Sequence, residues 1–283
     1  MSRSHARIAG WWWAVAAGLM AVACGGGATQ TPETAPTPTS SSSSGHGLTN
    51  LFFLHHSVGD GLVMQGDMRG RIAAYNAAHG TTFQFWDHGY NADGLRDPTG
   101  NPTGRNYDIP DDNTDVEGLF LLWTSGEQRY VDCRQRILAN HQVIAFKSCF
   151  PNSAIGDADR LAQYKSWYTA IREALDQHPD HAFVVMPPPP LHRLATDATE
   201  AGNARAFATW LCSSEYTAGH PNVACFNLFD HLAAPDDGSS QANRLRWEYE
   251  GDHDSDDSHP NEAANQTVGP QLADFICDFA ARY

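Results

Sequence analysis

The sequence predicts an α/β fold in which a five-stranded parallel sheet is covered by helices on both faces. Five short apolar runs, nearly continuous rather than alternating, have the pattern of strands that are buried on both sides. Helical patterns lie between them, the clearest over 159–175 and two others over 204–211 and 265–281. Strands that alternate with helices favour parallel pairing and two covering layers. The five predicted strands are 50–54, 83–86, 142–146, 182–186 and 223–227.

Residues 1–24 have the features of a bacterial lipoprotein signal peptide. Arg3 and Arg7 precede an apolar stretch, and small residues lead up to Cys24. The pattern resembles a lipobox, which predicts an exported protein anchored by lipidated Cys24 at the cell surface or in the periplasm. The alternative is ordinary signal cleavage, with Cys24 unmodified.

Residues 25–47 predict a disordered tether, because Ser, Thr, Pro and Gly supply too little apolar surface for a core. The remaining residues, 48–283, are long enough for one domain with a full core. The whole chain carries 33 acidic and 18 basic residues. This acidity argues against nucleic acid as a partner and leaves the lipid anchor as the expected membrane contact.

The cysteines of an exported domain can form disulfides. Cys212 and Cys225 are the favoured pair, since their bridge would close a short loop that contains a glycine and a proline. A second pair, Cys133–Cys149, is an alternative that would leave Cys277 unpaired. The cysteine spacings do not resemble a zinc site, and no cofactor or metal is expected.

Two segments at opposite ends of the domain carry the groups of a serine hydrolase. Ser57 follows the first predicted strand, where the carboxyl end of a parallel strand would place it in a site. Near the C-terminus, Asp256 precedes His259 by three residues, just before the last predicted helix. A hydroxyl, an imidazole and a carboxylate are the parts that nucleophilic acyl transfer requires. The sequence therefore predicts Ser57, His259 and Asp256 as a catalytic triad.

With these segments, the chain resembles the SGNH hydrolases, the superfamily of GDSL-type esterases and lipases. The match spans nearly all of 48–283 and rests most firmly on the sequence Asp256-Asp257-Ser258-His259-Pro260-Asn261. The resemblance implies a flavodoxin-like three-layer α/β/α sandwich and a Ser-His-Asp acyl-enzyme mechanism. It assigns Ser57 as the nucleophile.

The resemblance also implies an oxyanion hole built from three donors. The first is the backbone N–H of Ser57. The second is a glycine N–H after the second strand, for which Gly94 is the first choice and Gly89 the alternative. The third is the side-chain amide of Asn152, after the third predicted strand. The glycine and Asn152 could also be ordinary turn residues.

The chain departs from the family where His55-His56 replaces the usual Gly-Asp before the serine. Adjacent residues of a strand point to opposite faces, so at most one of the two faces the site. One hypothesis is that His56 contacts the loop that holds Asp256. A weaker one is a metal site built from His55, His56, His253 and nearby acids.

The predicted function is hydrolysis of small acyl esters, with an acetyl group on carbohydrate as the first candidate substrate. Two alternatives keep the fold: a non-catalytic glycan-binding lipoprotein, and an acyltransferase that uses the same triad. The irregular stretch 97–118 is a candidate rim for a small-molecule or glycan ester, or else a solvated surface loop. The sequence does not indicate an oligomeric state.

Overall fold

The computed structural model describes residues 48–283. The predicted signal peptide and tether, including Cys24, lie outside the described residues. The described chain forms a six-stranded sheet in the order β3-β2-β1-β4-β5-β6. The strands are β1 (Asn50–Leu54), β2 (Gln84–His88), β3 (Leu95–Arg96), β4 (Val143–Lys147), β5 (Ala182–Met186) and β6 (Val223–Cys225).

The prediction of a parallel sheet is confirmed for five strands, each within two residues of its predicted bounds. The sixth strand, β3, was not predicted. It pairs antiparallel with β2 at the sheet edge, through Asp87↔Arg96 and His88↔Leu95. Only two residues long, β3 has no apolar run of its own and forms because the chain folds back after β2.

Nine α-helices lie in the described part of the chain, and the three predicted helices are among them. A π-helical turn (Gly61–Gln65) directly follows the first. The helices are α1 (Ser57–Asp60), α2 (Met68–His79), α3 (Val116–Thr124), α4 (Gln128–Asn140), α5 (Ala158–Leu175), α6 (Ala198–Leu211), α7 (Ser214–Thr217), α8 (Leu228–Leu232) and α9 (Glu262–Arg282). Within residues 48–283, no helix has both the length and the apolar character needed to span a membrane.

Alternate strand residues point into two separate cores, which makes the domain a three-layer α/β/α sandwich. Phe52, Leu54 and Phe146 face one core, formed with helices α3 to α6. Leu51 and Phe53 face the other, formed with α2, α8 and α9. Because the central strands are covered on both faces, most of their residues are apolar.

Strand β1 lies at the point where the order of the sheet reverses. Its parallel partners are β2 on one side and β4 on the other. In open α/β sheets, the loops that leave two such strands at their carboxyl ends diverge and open a crevice. Ser57 follows β1 and Asn152 follows β4, so both lie at this crevice.

The structure contains one disulfide among the described residues, Cys212–Cys225, as predicted. The alternative pair Cys133–Cys149 is wrong. Cys133 is a buried residue of helix α4, whereas Cys149 is half-buried in the loop after β4, and both are free. Cys277 is also free and buried in α9.

Removal of the disulfide should lower the free energy of unfolding by about 3 kcal/mol. The bridge closes a loop with a sequence separation of 13 residues, and a cross-link of that size removes this much conformational entropy from the unfolded chain. Urea unfolding of the double variant Cys212→Ser/Cys225→Ser would measure the loss. Cys149→Ser, which removes a free thiol, is the matched control. Equal midpoints for the double variant and the wild type would contradict the expectation.

Candidate active site

Ser57 is the first residue of helix α1, three residues beyond the end of β1. The helix begins without a side-chain cap, so the N–H groups of its first turn point out of its amino end. The carbonyl of His56 accepts from the N–H of Gly59 at 2.7 Å, which closes the turn that presents Ser57. The turn therefore leaves both the hydroxyl and the N–H of Ser57 available at the crevice.

His259 meets Ser57 across the crevice. Its Nε2 lies 2.8 Å from Oγ of Ser57, a normal hydrogen-bond distance. The edge of the Phe150 ring packs against the imidazole, with centroids 4.8 Å apart. The structure thus brings together the two sequence-predicted residues that a serine nucleophile and its base would require.

The carboxylate on the far side of the imidazole belongs to Asp257, which corrects the prediction of Asp256. Oδ1 of Asp257 lies 2.6 Å from Nδ1 of His259 and also accepts the backbone N–H of His259 at 3.1 Å. This turn, in which a side chain accepts from the backbone two residues on, fixes the carboxylate beside the ring. The exposed carboxylate of Asp256 has no hydrogen-bond partner among residues 48–283.

The charge state of Asp257 fits this contact. Burial by itself would raise the pKa of Asp257, but the hydrogen bonds and the charge of His259 outweigh it and lower the pKa overall. The group is therefore an ionised acceptor at neutral pH. An ionised acceptor on Nδ1 keeps the proton there and leaves Nε2 free to take the proton of Ser57.

The loop that carries His259 is held by buried hydrogen bonds. Oγ of Ser258 is fully buried and accepts the N–H of His192 at 2.9 Å. Asn261 caps helix α9 by accepting from Ala264, and its amide also donates to the carbonyl of Glu250. Ser258 and Asn261, on either side of His259 in the sequence, therefore fix the loop that carries it.

A second imidazole–carboxylate group lies behind this loop and was missed from the sequence. The carboxylate of Glu250, whose side chain is fully buried, lies 3.0 Å from Nε2 of His192 and 2.7 Å from Nδ1 of His253. His253 stacks on Trp247 with ring centroids 3.7 Å apart. Among the described residues, no group of three His, Cys, Asp or Glu side chains could hold a metal ion, so the structure does not assemble the hypothesised site of His55, His56 and His253.

The N–H of Gly94, the first choice for the second oxyanion donor, is already used within a turn. Its N–H donates to the carbonyl of Tyr90 at 3.0 Å, and its φ of +65° places it in the left-handed region. A Cβ there would lie 2.6 Å from the carbonyl oxygen of Arg105. Gly94 is thus a turn glycine whose N–H is already used. Gly89 directly follows β2, and its N–H has no acceptor within residues 48–283.

Asn152 lies in the loop after β4, at the crevice, but its side chain also supports that loop. Its Nδ2 donates to the carbonyl of Cys149 at 3.2 Å. Its Oδ1 accepts from the N–H of Val116 and from the hydroxyl of Tyr164, at 3.2 and 3.3 Å. One of the two amide hydrogens therefore remains for a ligand.

A polar cleft of about 420 Å³ has His56 and Asn152 in its lining, whereas Ser57 and His259 do not line it. Its walls come from the loop after β1, from the irregular stretch before α3, from the loop after β4 and from α5. Carboxylate, amide, hydroxyl and guanidinium groups dominate the lining. The lining residues are His56, Asp112, Asn113, Thr114, Asp115, Cys149, Pro151, Asn152, Ala154, Arg160 and Tyr164. A cavity of about 460 Å³ beside the disulfide contains none of the predicted site residues.

The end of β4 adds a buried lysine that the sequence analysis did not single out. The side chain of Lys147 is fully buried, with Nζ 3.9 Å from Sγ of Cys149, a residue of the cleft wall. Burial lowers the pKa of Lys147, and the nearby Cys149 and Asp60 only partly oppose the shift. Lys147 was missed because it directly follows an apolar run, which predicts a strand but does not indicate that the lysine is buried with it.

His56 contacts the cleft wall and not the loop of Asp256, so that hypothesis is wrong. Its ring stacks on Tyr90 with centroids 4.1 Å apart, and its Nε2 lies 3.5 Å from Oδ1 of Asp112. Burial lowers the pKa of His56 to about 4, although the Asp112 carboxylate acts in the opposite direction. The residue is 7% exposed, and its Nε2 has no hydrogen-bond partner in the described structure.

The domain should lose stability as the pH falls below about 6.5, the pKa of an unfolded histidine. Burial lowers the pKa of His56 to about 4, and burial with the charge of Arg105 lowers that of His141 to about 3. The unfolded chain therefore binds more protons than the folded one below pH ~6.5, and stability declines from there toward pH 4. Each histidine contributes at most about 1.4 kcal/mol per pH unit.

Urea midpoints between pH 7.5 and 5 would measure this decline in a range where carboxylates titrate little. His56→Gln should make the dependence shallower, because glutamine does not titrate. His79→Gln, which replaces a part-exposed histidine on helix α2, is the control. A wild-type midpoint that stays constant from pH 7.5 to 5 would contradict the account.

Comparisons with known proteins add three weak similarities. No family model and no curated protein matches the sequence. One similar solved structure is a Streptococcus pneumonia protein provisionally described as a platelet activating factor, with 14% identity, a TM-score of 0.46, and coverage of 81% of this chain and 84% of that chain. Another is a provisionally assigned acylhydrolase from Bacteroides fragilis NCTC 9343, with 11% identity, a TM-score of 0.47, and coverage of 82% and 88%.

The third similar structure is a gut microbial diltiazem-metabolizing enzyme, with 11% identity and a TM-score of 0.40. The similarity covers 66% of this chain and 38% of that chain. At these low TM-scores, the three similarities define neither a family nor an activity for the chain. What the site can do follows from its own residues.

Proposed function

We propose that the chain is a serine esterase of the SGNH type that hydrolyses small acyl esters. The observation that carries the proposal is the contact chain from Oγ of Ser57 to Nε2 of His259, at 2.8 Å, and from Nδ1 of His259 to Asp257, at 2.6 Å. A hydroxyl, an imidazole and a carboxylate joined in this order are the parts of an activated serine nucleophile.

In the proposed reaction, His259 takes the hydroxyl proton as Ser57 attacks the ester carbonyl, and then passes it to the leaving alcohol. Asp257 holds the imidazole in the required tautomer and stabilises its charged form. The N–H of Ser57 donates to the tetrahedral oxyanion, with Gly89 and Asn152 as the candidate further donors. His259 then takes a proton from water as the water attacks the acyl-enzyme, and returns it to the oxygen of Ser57 as the carboxylic acid is released. Each oxyanion donor is typically worth about 3–4 kcal/mol of transition-state stabilisation.

The cleft supports a small, polar substrate. Its volume of about 420 Å³ is modest, and its walls carry Asp115, Arg160 and Asn113 instead of a continuous apolar surface. A long acyl chain would pack against these charged groups and displace the water that solvates them, which costs free energy. An acetyl ester of a hydroxyl-rich molecule such as a carbohydrate leaves these groups hydrogen-bonded. We therefore place acetylated carbohydrate first among the candidate substrates.

A panel of esters tests this function. We expect residues 48–283 to hydrolyse p-nitrophenyl acetate, to lose activity steadily along the butyrate and octanoate esters, and to release acetate from acetylated oligosaccharides. His259→Ala should lose all of these activities, whereas His79→Gln should keep them. Absence of hydrolysis across the panel by folded protein would overturn the esterase and favour a glycan-binding role. Acetyl transfer to an added sugar without net acetate release would instead identify an acyltransferase.

A further inference from the structure

A buried group of charged side chains lies beneath the turn that presents Ser57. The side chains of His55 and Asp87 are fully buried. The carboxylate of Asp87 lies 3.1 Å from Nε2 of His55 and 3.3 Å from Arg96, and it accepts a hydrogen bond from Arg69. Arg96 also contacts Asp60 of helix α1 at 2.8 Å. We call His55, Asp87, Arg69, Arg96 and Asp60 the subsite cluster.

Asp87 is the anion at the centre of the subsite cluster. Burial by itself would raise the pKa of its carboxyl group, but the hydrogen bond and charge of His55 together with the charge of Arg69 lower it overall. The carboxylate therefore stays ionised and accepts from His55. The register of β1 and β2 explains why the two side chains meet. Phe53 pairs with Asp87, so these two point to the same face of the sheet. Side chains alternate along a strand, so His55, two residues after Phe53, points to that face as well.

The other ring nitrogen of His55 faces the backbone of the serine turn. Its Nδ1 lies 3.1 Å from the carbonyl oxygen of His56. That oxygen also accepts from the N–H groups of Gly59 and Asp60, at 2.7 and 3.2 Å. Since a carbonyl and a carboxylate can only accept, a His55 ring that makes both hydrogen bonds donates from both nitrogens. A ring protonated in this way carries a positive charge, which Asp87 balances.

The carbonyl of His56 and the N–H of Ser57 belong to one peptide group. In a planar trans peptide, the C=O and N–H bonds point in opposite directions. Three donors on the inner side of the peptide therefore hold the N–H of Ser57 toward the crevice. A charged donor on the carbonyl also polarises the peptide, which makes its N–H a stronger hydrogen-bond donor.

Gly59 independently supports the placement of His55 beneath the serine turn, because its lack of a side chain makes room for the imidazole. A Cβ on Gly59 would fall onto Cβ and Cγ of His55 and would lie 2.8 Å from its Nδ1. The imidazole thus occupies the space that a side chain in the first turn of α1 would fill. His55 and Gly59 are spatially matched parts of the segment that ends β1 and begins the serine turn.

We propose that His55, held by Asp87, is a positioning residue that fixes and polarises the His56–Ser57 peptide as an oxyanion donor. The inference rests on the proposed function, because it assumes that Ser57 is the nucleophile. His55 does not touch the reacting atoms in this role and acts through the backbone. The role gives a chemical reason for the histidine that stands where related enzymes have glycine.

Two substitutions separate the two hydrogen bonds of His55. The amide nitrogen of His55→Asn lies close to the position of Nδ1 and can still donate to the carbonyl of His56. The longer His55→Gln reaches toward Asp87 and leaves that carbonyl without its side-chain donor. We expect kcat for p-nitrophenyl acetate to fall about 10- to 100-fold in His55→Gln, less than the loss for a deleted oxyanion donor. His55→Asn keeps the hydrogen bond to the carbonyl but loses the charge, so its kcat should fall by up to about tenfold, less than that of His55→Gln, and KM should change little in both.

A purely structural role would give a different result. It would lower the urea midpoint of both variants and leave kcat per folded molecule unchanged, and that outcome would overturn the inference. Should His55→Gln not fold, Asp87→Asn replaces it, since an amide oxygen can still accept from Nε2 but has no charge to hold the ring. We expect about a tenfold lower kcat at unchanged KM, and an unchanged kcat would overturn the inference.

Failure of the proposed function would be visible separately. If the wild type does not hydrolyse the ester, or if Ser57→Ala hydrolyses it equally well, the esterase itself is wrong. If the wild type is active through Ser57 but His55→Gln retains the wild-type kcat, only the positioning role is wrong.

Discussion

Replacement of Ser57 by alanine is expected to lower kcat for a small ester by about 10⁴-fold or more. The hydroxyl lies 2.8 Å from Nε2 of His259, and no other side chain in the described structure occupies that position. Without it, no acyl-enzyme forms, and only slow attack by water in the oxyanion hole remains. The substitution removes one oxygen from the mouth of the crevice, so the urea midpoint should change little.

The matched control is Ser240→Ala, which removes an exposed hydroxyl from the loop after helix α8. Its kcat should equal that of the wild type. Ester hydrolysis by folded Ser57→Ala at the wild-type rate would refute Ser57 as the nucleophile. A loss of activity that follows a loss of folded protein would be a stability effect, which the unfolding curves reveal.

Asp257→Asn is expected to lower kcat by about 10²–10³-fold, whereas Asp256→Asn should change it less than about twofold. An amide at position 257 can donate to Nδ1 of His259, which would move the ring proton to Nε2 and block its action as a base. The expected loss of kcat is smaller than the loss on replacing a fully buried triad carboxylate. The reason is that the side chain of Asp257 is 59% exposed, so solvent screens its charge.

The pair is a sharp comparison, because the two aspartates are adjacent, carry the same charge and differ only in their contact with His259. Both proteins should be assayed at matched ionic strength over pH 6 to 9. Equal losses in the two variants would indicate a general charge effect of the acidic loop. A larger loss in Asp256→Asn would contradict the assignment of Asp257 and restore the spacing predicted from the sequence.

Strand positions were predictable because burial on both faces gives each central strand its own local signature. Runs such as Ala182–Met186 contain no polar residue and end at a proline segment. Strand β3 could not be found in this way, since its two residues pair only after the chain folds back. Helix α3 (Val116–Thr124) was also missed, because apolar residues crowd most of its length and obscure the helical period.

The site was predictable where one local segment determines a residue's position. Ser57 follows a recognisable strand, and His259 precedes a recognisable helix. The choice between Asp256 and Asp257 depends on a turn that the side chain of Asp257 itself forms with the backbone of His259, which spacing alone does not specify. Likewise, His55 and Asp87 are separated by 32 residues and meet only through the register of β1 and β2.

An activated serine at position 57 should react covalently with a fluorophosphonate probe. Residues 48–283 would be incubated with the probe, and the site of the adduct would be located by mass spectrometry. We expect one adduct, on Ser57, formed at a rate that falls sharply in His259→Ala and Asp257→Asn but not in Asp256→Asn. Folded protein that stays unlabelled, or that is labelled at another serine, would contradict the account.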